Sequence, residues 1–199
     1  MARGERSDPG TAAKILDSAE RLVQVRGFNA FSYADVAAEL HLSKASLHYH
    51  FAGKAELGEA LVLRYCDRFL AALVEIDRTV RGAPSKLDAY VDLYSGVIAD
   101  QRMCLCGMLA AEYPTLPEPM QAAVRAFIDA NEVWLSAVIE QGVRDGSLRR
   151  PDSVPDTAAM LVAGLEGAML VARPYGDVTR FRAAVSALLA SVVVAGPRV

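Results

Sequence analysis

The sequence predicts an all-α protein with a small helical domain at its N-terminal end and a larger helical domain after it. Three observations lead there. Apolar residues recur with a period near 3.6 in segment after segment, and the strict alternation of a half-buried strand hardly occurs. Hydrophobic residues make up 53% of the chain and are rich in alanine, with few β-branched runs, a composition that favours helix over sheet. Proline and glycine then cut the chain into helix-length pieces, at Arg81-Gly-Ala-Pro84, Pro114, Pro117, Asp145-Gly146, Pro151, Pro155 and Pro174-Tyr-Gly176. At 199 residues there is length for one or two domains with a substantial core.

The first helix is expected over Thr11–Arg26, where Ile15, Ala19, Leu22 and Val23 share a face and Gly27 supplies a left-handed stop. Ser32 can cap a second helix, Tyr33–Leu40, with Asp35 at its third position as a weaker form of a capping box. Val36, Ala37 and Leu40 give that helix a narrow inward stripe. After a break at His41-Leu42, Ser43 can cap a third, short helix. Two short helices joined by a turn of a few residues make a helix-turn-helix, whose second helix enters the DNA major groove.

The third helix has the inventory for that task. His41–Lys54 holds all three histidines of the chain and two lysines, with no acidic residue, in a protein of formal charge −3. Leu42, Leu47 and Phe51 anchor one side. Ser43, Lys44, Ser46, His48, Tyr49 and His50 offer hydrogen-bond donors and a cation, the groups that phosphates and base edges accept. His48 and His50 point about 200° apart on a helix, so they do not form a metal pair. Residues 1–53 as a whole carry no excess of basic side chains. Binding is therefore expected to rest on a few placed contacts and on dimerisation, with a modest salt dependence.

These residues resemble a known family. Ile15, Ala19, Leu22 and Gly27-Phe28, then Ser32, Asp35-Val36-Ala37, Leu42 through Phe51 and Lys54-Ala-Glu-Leu57, look like the N-terminal domain of TetR (tetracycline repressor) family regulators. The resemblance covers about fifty residues. It implies a helix-turn-helix domain over 1–53 and a helical effector-binding and dimerisation domain over 54–199. It implies that Ser43, Lys44, Ala45 and Ser46 approach bases and that Ser32, His48, Tyr49, His50 and Lys54 hold phosphates of a palindromic operator. His41 stands where the family commonly has a turn glycine, and His48 where it commonly has tyrosine. Histidine tolerates the left-handed region better than a branched residue does.

From Lys54 to about Val80 the pattern is one helix, roughly 39 Å long, able to link the two domains mechanically. Its buried side is marked by Leu57, Leu61, Tyr65 or Arg64, Arg68 or Phe69, Ala72, Leu73 and Ile76. Further helices are expected over Lys86–Asp100, around Gly107–Tyr113, and over Pro117–Arg144, Pro155–Arg173 and Val178–Ala195. The last two look like a dimer interface. Ala158, Ala159, Leu161, Val162, Leu165, Ala168, Met169 and Ala172 are small and apolar on the first, Phe181, Val185, Leu188, Leu189 and Val192 align on the second, and Gly164 and Gly167 permit close approach.

The middle helices should enclose a small-molecule effector. Tyr94, Met108, Phe127 and Trp134 supply aromatic and thioether surface, and Glu112 and Asn131 are polar residues in apolar surroundings that could orient a ligand. Cys104 and Cys106 raise a sharper reading. A thiolate at a helix N-terminus beside Arg102 would be open to oxidation or electrophile attack. The position of Cys104 is similar to a cysteine-before-glycine motif in a TetR subgroup that senses electrophiles. The alternative, a thiol-redox protein or enzyme using Cys104 and Cys106, lacks a nearby histidine or a glycine-rich phosphate loop. No catalytic residue, cofactor or metal site is expected. The polar start, Met1-Ala-Arg-Gly-Glu-Arg-Ser-Asp-Pro, is unlike a secretory signal. Ala187–Ala195 is too short to span a membrane, and three cysteines do not make a disulfide framework. The expected location is the cytoplasm.

Overall fold

The computed structural model describes residues 9–194, which form nine α-helices and two short 3₁₀ turns. The polar start of the chain and Ala195 lie outside the described residues. The helices are α1 (Pro9–Arg26), α2 (Tyr33–Leu40), α3 (Lys44–His50), α4 (Lys54–Thr79), α5 (Ala83–Ala99), α6 (Leu105–Ala111), α7 (Glu118–Asp145), α8 (Val154–Ala172) and α9 (Val178–Ala190). The chain divides into two compact units. Residues up to Cys66, with Leu105–Val124, make the first; Asp67–Cys104 and the residues from Arg125 onward make the second. Helices α4 and α7 each begin in the first unit and end in the second.

In the first unit α1 packs on α2 and α6, and α2 packs on α3. The α1 face read from the sequence, Ile15, Ala19, Leu22 and Val23, is buried, as are Phe28, Phe31, Val36, Leu47, Phe51, Leu57 and Leu61 of the same unit. Arg64 of α4 reaches back to α1, its Nη2 3.1 Å from Glu20 Oε2 and its Nη1 2.8 Å from Asp17 Oδ1. On α4 the open pairs resolve: Tyr65 is buried rather than Arg64, and Phe69 is half-buried while Arg68 is exposed.

In the second unit α8 packs on α9, and both pack on α5. Helix α5 starts three residues earlier than Lys86, because Pro84 lies in its first turn, where a missing N–H removes no hydrogen bond. Pro155 occupies the same position in α8. Helix α9 ends at Ala190, well short of Ala195. The chain then turns to make an isolated antiparallel bridge between Leu148 and Val193. Arg149 N–H donates to Val192 O at 2.8 Å and Val194 N–H to Ser147 O at 3.1 Å.

The inner face of α8 differs in role from its reading as an interface. Ala158, Leu161, Val162, Leu165, Met169 and Ala172 are buried inside the unit, as are Phe181, Val185, Leu189 and Val192 on the α9 side. They form the core of a single chain. The apolar surface left open on α8 is another stripe, Met160, Ala163, Gly167, Leu170 and Val171. Among the described residues, Val154–Tyr175 is long and apolar enough to cross a membrane by length and composition.

Candidate functional site

The first unit builds a capped helix-turn-helix. Ser32 N–H and Ser32 Oγ both donate to Asp35 Oδ2 at 2.7 Å, so the Asp35 carboxylate reaches back to the start of α2 as their spacing leads one to expect. These hydrogen bonds, with Arg26 3.6 Å away, hold the Asp35 carboxyl below its ordinary range. His41 takes the left-handed conformation that ends α2, with φ 54° and ψ 38°. Leu42 N–H closes the turn on Ala37 O at 2.9 Å. Ser43 then caps α3, its Oγ accepting from Ser46 N–H at 3.1 Å.

This geometry places Ser43, Lys44, Ala45, His48 and Tyr49 outward, with Ser46 and His50 half-exposed and Leu47 buried beneath them. Tyr49 is 65% exposed, an unusual position for a packing aromatic. The His48 ring lies 5.0 Å from the Tyr33 ring, and its Nδ1 pairs with Ala52 O at 3.1 Å. A carbonyl accepts only, so Nδ1 carries the proton and Nε2 is left for a partner outside. Tyr33 donates to Phe51 O at 2.9 Å, and burial, aided by Glu56, raises its phenol to about 12. Ser32 is exposed at the start of α2. Lys54 is half-buried, its ammonium 4.7 Å and 4.6 Å from the ring centres of Phe28 and Phe31. Desolvation there lowers its pKa, against the opposing pull of Glu112 and Asp35.

The residues expected to form the effector region separate into two groups. Tyr94, Phe127, Asn131 and Trp134 come together in the second unit around Tyr90 and Phe69. Tyr90 donates to Asn131 Oδ1 at 2.7 Å, and the Tyr90 and Tyr94 hydroxyls are 3.1 Å apart. Asn131 Nδ2 donates to Phe127 O at 2.7 Å. Since Tyr90 spends its one proton on Asn131, Tyr94 must donate to Tyr90. Trp134 stacks on Tyr90 with ring centres 5.4 Å apart, and Phe69 meets Tyr90, Tyr94 and Phe127 edge-on. Burial pushes the Tyr90 and Tyr94 phenols up.

Cys104 belongs to this unit and is buried, with its thiol hydrogen-bonded to Glu166 of α8. Burial raises the Glu166 carboxyl to about 7, and its Oε2 has no hydrogen-bond partner. Glu166 did not stand out from the sequence, although a lone acid within the apolar run Ala158–Ala172 was the available signal.

Cys106, Met108 and Glu112 belong to the first unit, with Cys106 buried and Met108 half-exposed. Glu112 holds the loop between α1 and α2. Its Oε2 accepts from Phe28 N–H at 2.6 Å and its Oε1 from Asn29 N–H at 3.3 Å, while Asn29 Nδ2 donates to Thr115 Oγ1 at 2.7 Å.

Comparison with known proteins agrees with this architecture. The family model described as bacterial regulatory proteins, tetR family, matches residues 15–61, and that described as tetracyclin repressor-like, C-terminal domain, matches residues 83–188. The chain belongs to the TetR family. A TetR-family regulator from Agrobacterium tumefaciens is 34% identical, with a TM-score of 0.90 over 94% of this chain and 100% of that one. A TetR regulator from Legionella pneumophila is 29% identical, with a TM-score of 0.83 over 94% and 99%. The HTH-type transcriptional repressor KstR2 of Rhodococcus jostii (strain RHA1) is 25% identical over 171 residues, 85% of this chain and 83% of that protein. This TetR-family chain is accordingly a DNA-binding transcriptional regulator and not an enzyme.

Proposed function

We propose that this regulator is a cytoplasmic, dimeric repressor that reads a palindromic operator with α3 of each copy and is released by an effector. The observation that carries the reading is α3 itself. A doubly capped turn holds seven residues with Ser43, Lys44, Ala45, His48 and Tyr49 facing out over a buried Leu47. In this reading Ser43, Lys44, Ala45 and Ser46 meet base edges, while Ser32, His48 Nε2, Tyr49, His50 and Lys54 meet phosphates. One helix of this size, on a domain without excess positive charge, binds weakly. Two such helices about one DNA turn apart multiply the contacts.

The effector region is the aromatic and tyrosine–asparagine cluster around Tyr94, Phe127, Asn131 and Trp134. An effector that prefers one arrangement of this unit shifts the population of α4 positions, and operator affinity falls by linkage. A second reading of the trigger rests on the Cys104–Glu166 hydrogen bond. As the Cys104 sulfur bonds to an electrophilic carbon, its proton can pass to the Glu166 carboxylate. A Cys104→Ser protein that responds to electrophiles like the parent would remove that reading.

The test of the main proposal is selection of bound sequences from a random duplex pool, repeated with Lys44→Ala. The parent should enrich a palindrome. The variant should bind that site about tenfold or more weakly, the scale of one placed base or phosphate contact. Failure of the parent to enrich any sequence would count against operator reading by α3.

A further inference from the structure

Glu112 follows directly on α6 and lies 84 residues along the chain from its hydrogen-bond partner Phe28. We propose that Glu112 is a positioning residue for DNA binding, which fixes the ammonium of Lys54 by way of Phe28. The inference rests on the reading of Lys54 as a phosphate-holding group, and it gives Glu112 itself no contact with DNA.

The loop between α1 and α2 is held from one side by the segment after α6. Phe28 N–H and Asn29 N–H lie outside any helix and need acceptors from elsewhere. The Glu112 carboxylate supplies them, at 2.6 Å from Phe28 N and 3.3 Å from Asn29 N. Hydrogen bonds to a charged acceptor are the stronger kind. Asn29 Nδ2 donates to Thr115 Oγ1 at 2.7 Å, and Thr115 Oγ1 donates in turn to Glu112 O at 2.8 Å. A Cβ at Gly27 would stand 2.7 Å from Glu112 Oε1, so glycine is what lets the carboxylate lie against this backbone.

Helix α4 holds the same loop from another side, and there the link to Lys54 is made. A Cβ at Gly58 would stand 2.6 Å from Phe28 Cε2, so α4 leaves a seat for that ring. One turn earlier on α4, Lys54 Nζ lies 4.7 Å from the centre of the Phe28 ring and 4.6 Å from that of Phe31. The two rings meet edge-on at 5.7 Å. A lysine side chain is otherwise free to adopt many rotamers, and two ring faces confine its cation to one place. Without an acceptor on Glu112, the part-buried Phe28 N–H must move to find water, and its ring moves with it. Lys54 then loses one wall of its cage.

Binding of the full-length protein to a labelled duplex of random sequence, followed by fluorescence anisotropy across a salt series, reads phosphate contacts whether or not a palindrome is found. Glu112→Ala and Glu112→Gln remove the same negative charge, so a change in general attraction to DNA is common to both. Only glutamine keeps an acceptor for Phe28 N–H. The alanine variant is expected to bind about tenfold more weakly than the glutamine variant. Its slope of log affinity against log salt should be shallower by about one, the signature of one lost phosphate contact. Lys54→Ala should show the same loss, and adding Glu112→Ala to it should cost little more, because the two act through one contact. Added to Lys44→Ala, the loss should be complete. A variant that is only less stable, with its helical spectrum intact, keeps the parent's salt slope. Equal binding by the alanine and glutamine variants, an unchanged slope in the alanine variant, full additivity with Lys54→Ala, or a Lys54→Ala protein that binds like the parent would each overturn the assignment. Failure to select a palindrome would count against operator reading and leave this result standing.

Discussion

Glu166 is the residue whose surroundings most constrain its chemistry. Its carboxyl is buried with one oxygen unpartnered, and burial raises it from an ordinary 4.5 to about 7. Between these values the folded chain holds a proton that the unfolded chain has already released. Stability should therefore fall as pH rises from 4.5 to about 7 and stay level above that. At about 1.4 kcal/mol per pH unit the loss is on the order of 3 kcal/mol. Glu166→Gln keeps the shape and cannot ionise, so it should flatten this fall and be the more stable protein at pH 8. Urea unfolding of both proteins at pH 5 and pH 8 reads the difference, and parallel shifts with pH would refute the assignment. Legibility at this scale was uneven. The left-handed turn at His41 was implied by the resemblance, which commonly has a turn glycine there, and Ser43 announced its cap. Glu166 offered only the weak signal of a lone acid within an apolar helix. Only the packing of Cys104 and the tyrosines around it makes it unusual.

The same limit governs the elements. Helical periods placed all nine helices, because a repeating apolar face is a local property. A boundary failed where a residue has two meanings: Pro84 read as a break, yet it sits in the first turn of α5, whereas the helix expected from Pro155 begins at Val154. Helix α6 was legible as a short helix, but Glu112 at its end was read as a ligand-orienting group. Its observed partners, Phe28 and Asn29, are more than eighty residues away in sequence, beyond any local pattern. The carboxylate joins α6 to the α1–α2 turn, beside Gly27 with its φ of 92°. Glu112→Ala should leave the half-buried Phe28 N–H without an acceptor and destabilise the protein by about 1–3 kcal/mol. Glu112→Gln retains an acceptor oxygen and should lose about half as much. Denaturant midpoints at constant slope give both numbers. An alanine variant as stable as the parent would mean that solvent replaces the carboxylate freely.

For the whole molecule the decisive question is whether two copies pair, as the proposed function requires, and through which surface. Periodicity cannot say which side of an all-apolar helix faces inward, and this is why the core face of α8 resembled an interface. With that face filled by α9 and α5, the stripe Met160, Ala163, Gly167, Leu170 and Val171 is left, and Leu170 and Val171 are each 59% exposed. The two glycines divide between these roles. A Cβ at Gly164 would meet Leu188 Cδ2 at 2.4 Å, so Gly164 seats α9 within the chain, whereas nothing lies within 4 Å at Gly167. Helix α9 adds Ala183, Ala184 and Ala187 as exposed small residues, the surface that lets helices approach closely. A second copy covering both helices would bury this surface, and would also account for an apolar α8 in a protein that binds DNA. Leu170→Glu places a charge on the stripe without entering the core, so the variant should fold with an unchanged helical spectrum yet sediment as a monomer. Its operator affinity should fall by about a hundredfold or more, since each half-site would then be held alone. Phe181→Ala, a core truncation on the other face, should instead lower stability by about 3–5 kcal/mol. If Leu170→Glu remains a dimer with full operator affinity, the pairing surface lies elsewhere on the chain.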